Sequence, residues 1–114
     1  MSDFEILKKQ IVEQLKPLAP QKVILFGSHA WGTPDKDSDL DIYVVTNDNF
    51  MPNNWKEKSE IYLKYKKNLD TINKQKGIDL IVHTKPMYDK FVQMDGMFCR
   101  KILQHGIKLY ETTD

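Results

Sequence analysis

Three carboxylates and one Gly-Ser step carry the chemistry available to this sequence. Asp39 and Asp41 lie in LFGSHAWGTPDKDSDLDIYVV (residues 25–45), inside an apolar run that otherwise reads as a buried strand. Residues i and i+2 of a strand point the same way, so the two carboxylates project from one face, about 6.5–7 Å apart along the chain. Two ionised carboxylates on an apolar strand repel each other and resist burial unless a positive charge sits between them. Mg2+ suits that place, because it prefers carboxylate oxygens and keeps positions open for water and phosphate. Asp79 supplies a third carboxylate, second in another apolar run, IDLIVHT. If the two runs are neighbouring strands, the trio fits a two-metal site, with ions about 3.5–4 Å apart clamping the attacking and leaving oxygens of a displacement.

Upstream, Gly27 and Ser28 end the run KVILF. Glycine permits a tight turn with close backbone approach, and the start of a following helical turn offers N–H groups to phosphate oxygens. The Ser28 hydroxyl adds a donor. Phosphate held there, beside metals held by the aspartates, describes a nucleoside triphosphate site. Plainer readings stand beside this one. An isolated Asp-x-Asp fits an edge strand with one solvated face, and it is Gly27, Ser28 and Asp79 that tip the balance toward metal binding. Ser28 can also serve as a helix cap, and Asp79 can simply open a strand after a Gly77 turn. Trp31 is expected to pack on the core rather than to cover a nucleotide. His29, His83 and His105 lack metal-ligand spacing, and Cys99 reads as core.

The elements that must position these groups are legible in outline. Ser2 and Glu5 form a capping-box pattern ahead of Phe4, Leu7, Ile11 and Leu15 at helical spacing, and Pro17 and Pro20 end that helix. Residues 22–27 predict a buried strand, SHAWG one helical turn, and TPDKDS a polar loop. Residues 39–46 predict a strand with Asp39, Asp41 and Tyr43 on one face and Leu40, Ile42 and Val44 on the other. One long helix is expected over 55–76, with Trp55, Tyr62, Tyr65, Leu69 and Ile72 as its apolar stripe and Gly77 as its C-cap. Residues 78–84 predict a third strand, with Asp79, Ile81 and His83 sharing a face. A helix from Pro86, broken near Asp95-Gly96, and a short strand IKLYE complete the order. Helices alternating with strands predict an α+β domain, α/β-like, with helices packed on a small mixed sheet, and residues 1–114 are expected to form a single domain.

Composition narrows the class. Of 114 residues, 40% are hydrophobic and 29% charged, which fits a globular chain rather than a disordered one. A net charge of +1 argues against direct nucleic-acid binding. One cysteine excludes an internal disulfide and suits a reducing, cytoplasmic setting. MSDFEILKKQ lacks the apolar core of a signal peptide, and no run reaches membrane-spanning length, so no membrane association is expected. The lysines between residues 56 and 76 read as the solvated face of a helix.

Gly27-Ser28, ten residues, then Asp39-Leu40-Asp41 on a strand resembles the DNA polymerase β-like nucleotidyltransferase superfamily, and the chain's length resembles its minimal nucleotidyltransferase (MNT) branch. Ser38 also fits the pattern, Asp79 in GIDLIV stands where the third carboxylate belongs, and HGIKLYE is similar as well. The resemblance implies the polymerase β-like fold. It implies transfer of a nucleoside monophosphate, AMP from ATP, to a hydroxyl, with Asp39, Asp41 and Asp79 catalytic and holding two Mg2+ ions, and Gly27 and Ser28 gripping phosphates. One departure stands out: the family commonly reads Gly-Ser-x-Ala-Arg-Gly, and here Trp31 replaces the arginine. MNT proteins, the MntA-type antitoxins among them, are commonly paired with a HEPN-domain toxin. The resemblance therefore implies an antitoxin that modifies a tyrosine of such a partner. Two alternatives remain: a binding antitoxin that masks its partner without chemistry, and an enzyme acting on a small molecule through a site built by a homo-oligomer.

Overall fold

The computed structural model describes residues 2–32 and 38–112. Helix α1 (Asp3–Leu15) starts where the Ser2 hydroxyl accepts the Glu5 N–H at 3.1 Å, and a 3-10 turn (Lys16–Leu18) carrying Pro17 ends it. Strand β1 (Lys22–Phe26) leads through Gly27 into one turn of helix, α2 (Ser28–Trp31). Most of the expected TPDKDS loop, residues 33–37, lies outside the described residues. Strand β2 (Leu40–Val45), helices α3 (Trp55–Asn68) and α4 (Asp70–Gln75), strand β3 (Ile78–His83), helices α5 (Lys85–Met94) and α6 (Met97–His105) and strand β4 (Ile107–Glu111) follow. The architecture is α+β, with a four-stranded mixed sheet among the described residues.

Strand order is β3-β2-β1-β4. β1 runs antiparallel to β2 and β4, whereas β2 and β3 are parallel, as the intervening α3–α4 crossover requires. β2 is therefore an interior strand with neighbours on both sides, which removes the reading of Asp41 as a residue of a solvated edge, whereas Asp39 precedes the strand and is exposed. Alternation then sorts side chains to two covered faces. Val23, Leu25, Leu40, Ile42, Val44 and Val82 pack against Ile11 and Leu15 of α1 and Tyr65, Leu69 and Ile72 of the crossover. Ile24, Phe26, Tyr43 and Val45 pack against Ile102 of α6, with Ile81, Tyr88 and Phe91 beside them. Cys99 is buried, as expected.

The expected helix over 55–76 is two helices. It breaks at Leu69, whose backbone (φ −99°, ψ 3°) leaves the helical region, and the turn keeps both Leu69 and Ile72 on the core. Trp55, expected in the apolar stripe, is 81% exposed: it occupies the first position of α3, outside the free edge of β3. Gly77 is not the cap of this crossover. Lys76 caps α4 in an extended conformation, and Asn73 ends it by accepting the Ile78 N–H at 2.8 Å. The strand expected from Asp39 begins at Leu40, whose N–H donates to the Gly77 carbonyl at 2.9 Å. Among the described residues, no helix is long and apolar enough to cross a membrane.

Candidate nucleotide and metal site

The candidate residues gather at one end of the sheet because of strand direction. β1 ends where β2 and β3 begin. Phe26 pairs with Asp41 across the antiparallel β1–β2 ladder, and Asp41 pairs with Asp79 across the parallel β2–β3 ladder. Residues in register on adjacent strands share a face, so Phe26, Asp41 and Asp79 lie side by side. Only the first carries an apolar side chain.

Gly27 follows immediately, with φ +77°, a backbone region that L side chains rarely adopt. Its missing side chain matters as much as its dihedral: a Cβ there would collide with the Asp41 carboxylate. Asp41 thus fills the space a larger residue would take. The Gly27 carbonyl accepts N–H groups from Ala30 and Trp31, both at 3.0 Å, which closes the single turn of α2. Ser28 opens that turn and is half-buried. Gly77 plays a matching part for Asp39, whose carboxylate lies where a Cβ of Gly77 would be. Two glycines therefore admit two carboxylates to the backbone, one at each side of the strand start.

Like charges meet here. Burial, then the facing Asp79 carboxylate, then the more distant Asp39, push the Asp41 carboxyl above its usual range, and the His29 imidazole opposes them. His29 is held by a 3.0 Å contact from Nε2 to the Ser38 carbonyl oxygen and by stacking on Phe4. The structure brings Asp41 and Asp79 together most closely, with Asp39 turned against Gly77. Among the described residues, no three His, Cys, Asp or Glu side chains are grouped tightly enough to hold a metal ion as they stand. The donor chemistry nonetheless fits a hard cation, since Asp41 and Asp79, in register on adjacent strands, and Asp39 beside them offer carboxylate oxygens.

A model of the nucleotidyltransferase domain family matches residues 7–109. The chain belongs to that family. None of the curated proteins matches it. Among solved structures, this nucleotidyltransferase domain is similar to a toxin-antitoxin crystallised with AMP-PNP, at 24% identity and a TM-score of 0.57, over 93% of this chain and 74% of the other. It is also similar to two mutant forms of a toxin-antitoxin MntA-HpeT. One carries two Asp-to-Glu changes (20% identity, TM-score 0.55, 93% and 74% covered) and the other a Tyr-to-Ala change (19%, 0.54, 93% and 73%). At these identities the likeness is one of fold.

Other residues lie beside the candidate carboxylates rather than among them. His83 shares a face with Asp79 but lies four residues along β3, bonded through Nδ1 to the Tyr43 hydroxyl at 2.7 Å. Trp31, expected in the core, is 41% exposed and walls a cavity with Ala30, Lys101 and His105. Two residues of this end of the sheet were not singled out from the sequence. His29, which acts on Asp41, had only its place after Ser28 as a signal. Lys101, some seventy residues from Trp31, had none.

Proposed function

We propose that this nucleotidyltransferase domain transfers the AMP unit of ATP to a hydroxyl of a partner protein, a tyrosine of a HEPN-type toxin, and thereby acts as an antitoxin. The observation that carries the reading is the register pairing of Asp41 with Asp79 beside the bare backbone of Gly27. Likeness to toxin-antitoxin structures, one determined with AMP-PNP, points the same way. Asp39, Asp41 and Asp79 would hold Mg2+, two ions in the full site. Such ions, when bound, neutralise charge on the triphosphate and favour departure of pyrophosphate. Gly27 and Ser28 would lie against the β- and γ-phosphates. The acceptor oxygen attacks the α-phosphorus, the bond from that phosphorus to the bridging oxygen breaks, and pyrophosphate leaves with the bonding pair. Asp79, the most exposed of the paired carboxylates, takes the acceptor's proton.

The test is the intact mass of a protein co-purified with this chain, with and without MgATP, for wild type and Asp41→Asn. A partner that gains AMP units with wild type alone supports the proposal. A partner captured but never modified makes the chain a masking antitoxin. Transfer to a small hydroxyl compound with no protein partner moves the function to small-molecule modification.

A further inference from the structure

We propose that Lys101, held over the indole of Trp31 at the rim of the nucleotide site, binds the terminal phosphates of the nucleoside triphosphate. This inference deepens the transfer reading above and rests on it. A triphosphate brought up to three carboxylates needs positive charge beyond what the carboxylates' own cations supply. Helix α2 cannot provide it, because its sequence SHAW holds neither lysine nor arginine, and Trp31 stands where the resembled pattern has an arginine. The charge comes instead from α6. Lys101 Nζ sits 5.8 Å from the centroid of the Trp31 ring, within cation–π range.

Several features make this a binding place rather than a chance surface contact. Trp31 ends the turn that Ser28 begins, so the two residues lie within about one helical pitch, roughly 5.4 Å, of each other along α2. Lys101 and His105 are four apart on α6 and share one face. With Ala30 and Trp31 they line a cavity of about 480 Å3. Among the described residues, Lys101 has no carboxylate partner, as is true also of Lys16, Lys64 and Lys66 over their tyrosine rings, but it is Lys101 whose ring partner and cavity belong to α2. An ammonium that stacks on a ring and lacks a counter-ion, facing a cavity beside the phosphate turn, is set to receive an anion. Trp31 restrains a flexible side chain that would otherwise lose more entropy on binding.

Trp31 also reports on the event. The chain has two tryptophans, so Trp55→Phe leaves Trp31 as the sole indole. In that background, with Mg2+ present, ATP and AMP are titrated while Trp31 emission is followed. Lys101→Ala is expected to weaken ATP binding about 10-fold and AMP binding by less than about 2-fold, since one charge-assisted contact to the terminal phosphates is lost. Lys101→Arg is expected to keep the preference for ATP. Adding Trp31→Arg to Lys101→Ala, followed by calorimetry in place of emission, should restore it. Equal weakening of ATP and AMP, or no weakening, would overturn the role of Lys101 while leaving the transfer reading intact. Failure of the unsubstituted chain to bind either nucleotide would overturn both.

Discussion

Two polar pairs lie one above the other on the same face of the β2–β3 ladder, and they are built in opposite ways. Further along the strands, the Tyr43 hydroxyl and His83 Nδ1 meet at 2.7 Å, their rings edge-on at 5.1 Å, and Phe91 packs within 5.5 Å of both ring centroids. Burial pushes the Tyr43 phenol well up and the His83 imidazole down to about 4. Both are therefore neutral near pH 7, one donor matched to one acceptor. At the strand starts, Asp41 and Asp79 face each other as two acceptors, with a third carboxylate behind them. One pair is complete within the chain; the other is complete only when a proton or a cation joins it. A polar pair that satisfies itself serves the fold, and one that does not marks where a ligand is expected.

Substitution at the lower pair should separate stability from chemistry. Asp41→Asn is expected to reduce AMP transfer by at least about 1,000-fold, on the scale of removing a principal electrostatic contributor to phosphoryl transfer. It should leave thermal stability equal or slightly higher, because it removes like-charge repulsion. Unfolding by denaturant and a transfer assay on the same preparation check both halves. A variant that loses stability and activity together would remove the contrast between the pairs.

The upper pair should behave in reverse. Tyr43→Phe keeps the ring but strands His83 Nδ1, at a cost of about 1–2 kcal/mol in unfolding free energy, with transfer changed by less than about 2-fold. Acid sharpens the same contrast. The folded value of His83, about 4, lies below its ordinary 6.5, so its contribution is full above pH 6.5 and is lost as pH falls toward 4. After allowance for solvent screening, that loss comes to about 1–2 kcal/mol. Asp41 runs the other way: its raised carboxyl favours the fold below its ordinary 3.8, and that contribution is lost as pH rises through the folded value. Melting curves from pH 7 to pH 4.5 should thus fall less steeply for His83→Gln than for wild type.

The smallest effect concerns a residue that helical spacing misplaces. Trp55→Ala should change stability by less than about 0.5 kcal/mol, as exposed substitutions generally do, because the indole is exposed at the rim of a depression beside β3 rather than in the core. Spacing from Trp55 to Ile72 sees one stripe. It cannot see that the sheet ends before the first turn of α3, or that the chain turns at Leu69. Gly77 reads as a helix cap for the same reason, since its service to Asp39 depends on a contact across the fold. What was legible was local: strands bounded by Pro20, Gly27 and Gly77, the cap at Ser2, a helix opening around Pro86 (it starts at Lys85, with Thr84 as its N-cap), and the alternation that gives Asp41 and Asp79 their faces. Their pairing needs the parallel register of β2 with β3, and the approach of Lys101 to Trp31 needs α6 folded against α2. Neither is written in any short stretch.

The most direct measurement is the melting temperature of the chain as Mg2+ is added in the presence of a non-hydrolysable ATP analogue, for wild type, Asp41→Asn and Tyr43→Phe. Binding to the native state alone raises stability by about 2.7 kcal/mol at a ligand concentration 100 times its dissociation constant. Wild type and Tyr43→Phe should therefore rise by several degrees, by equal increments, while Asp41→Asn stays flat. An equal rise in all three proteins would mean that the cation and nucleotide bind elsewhere, and that the unmatched aspartates are not the site.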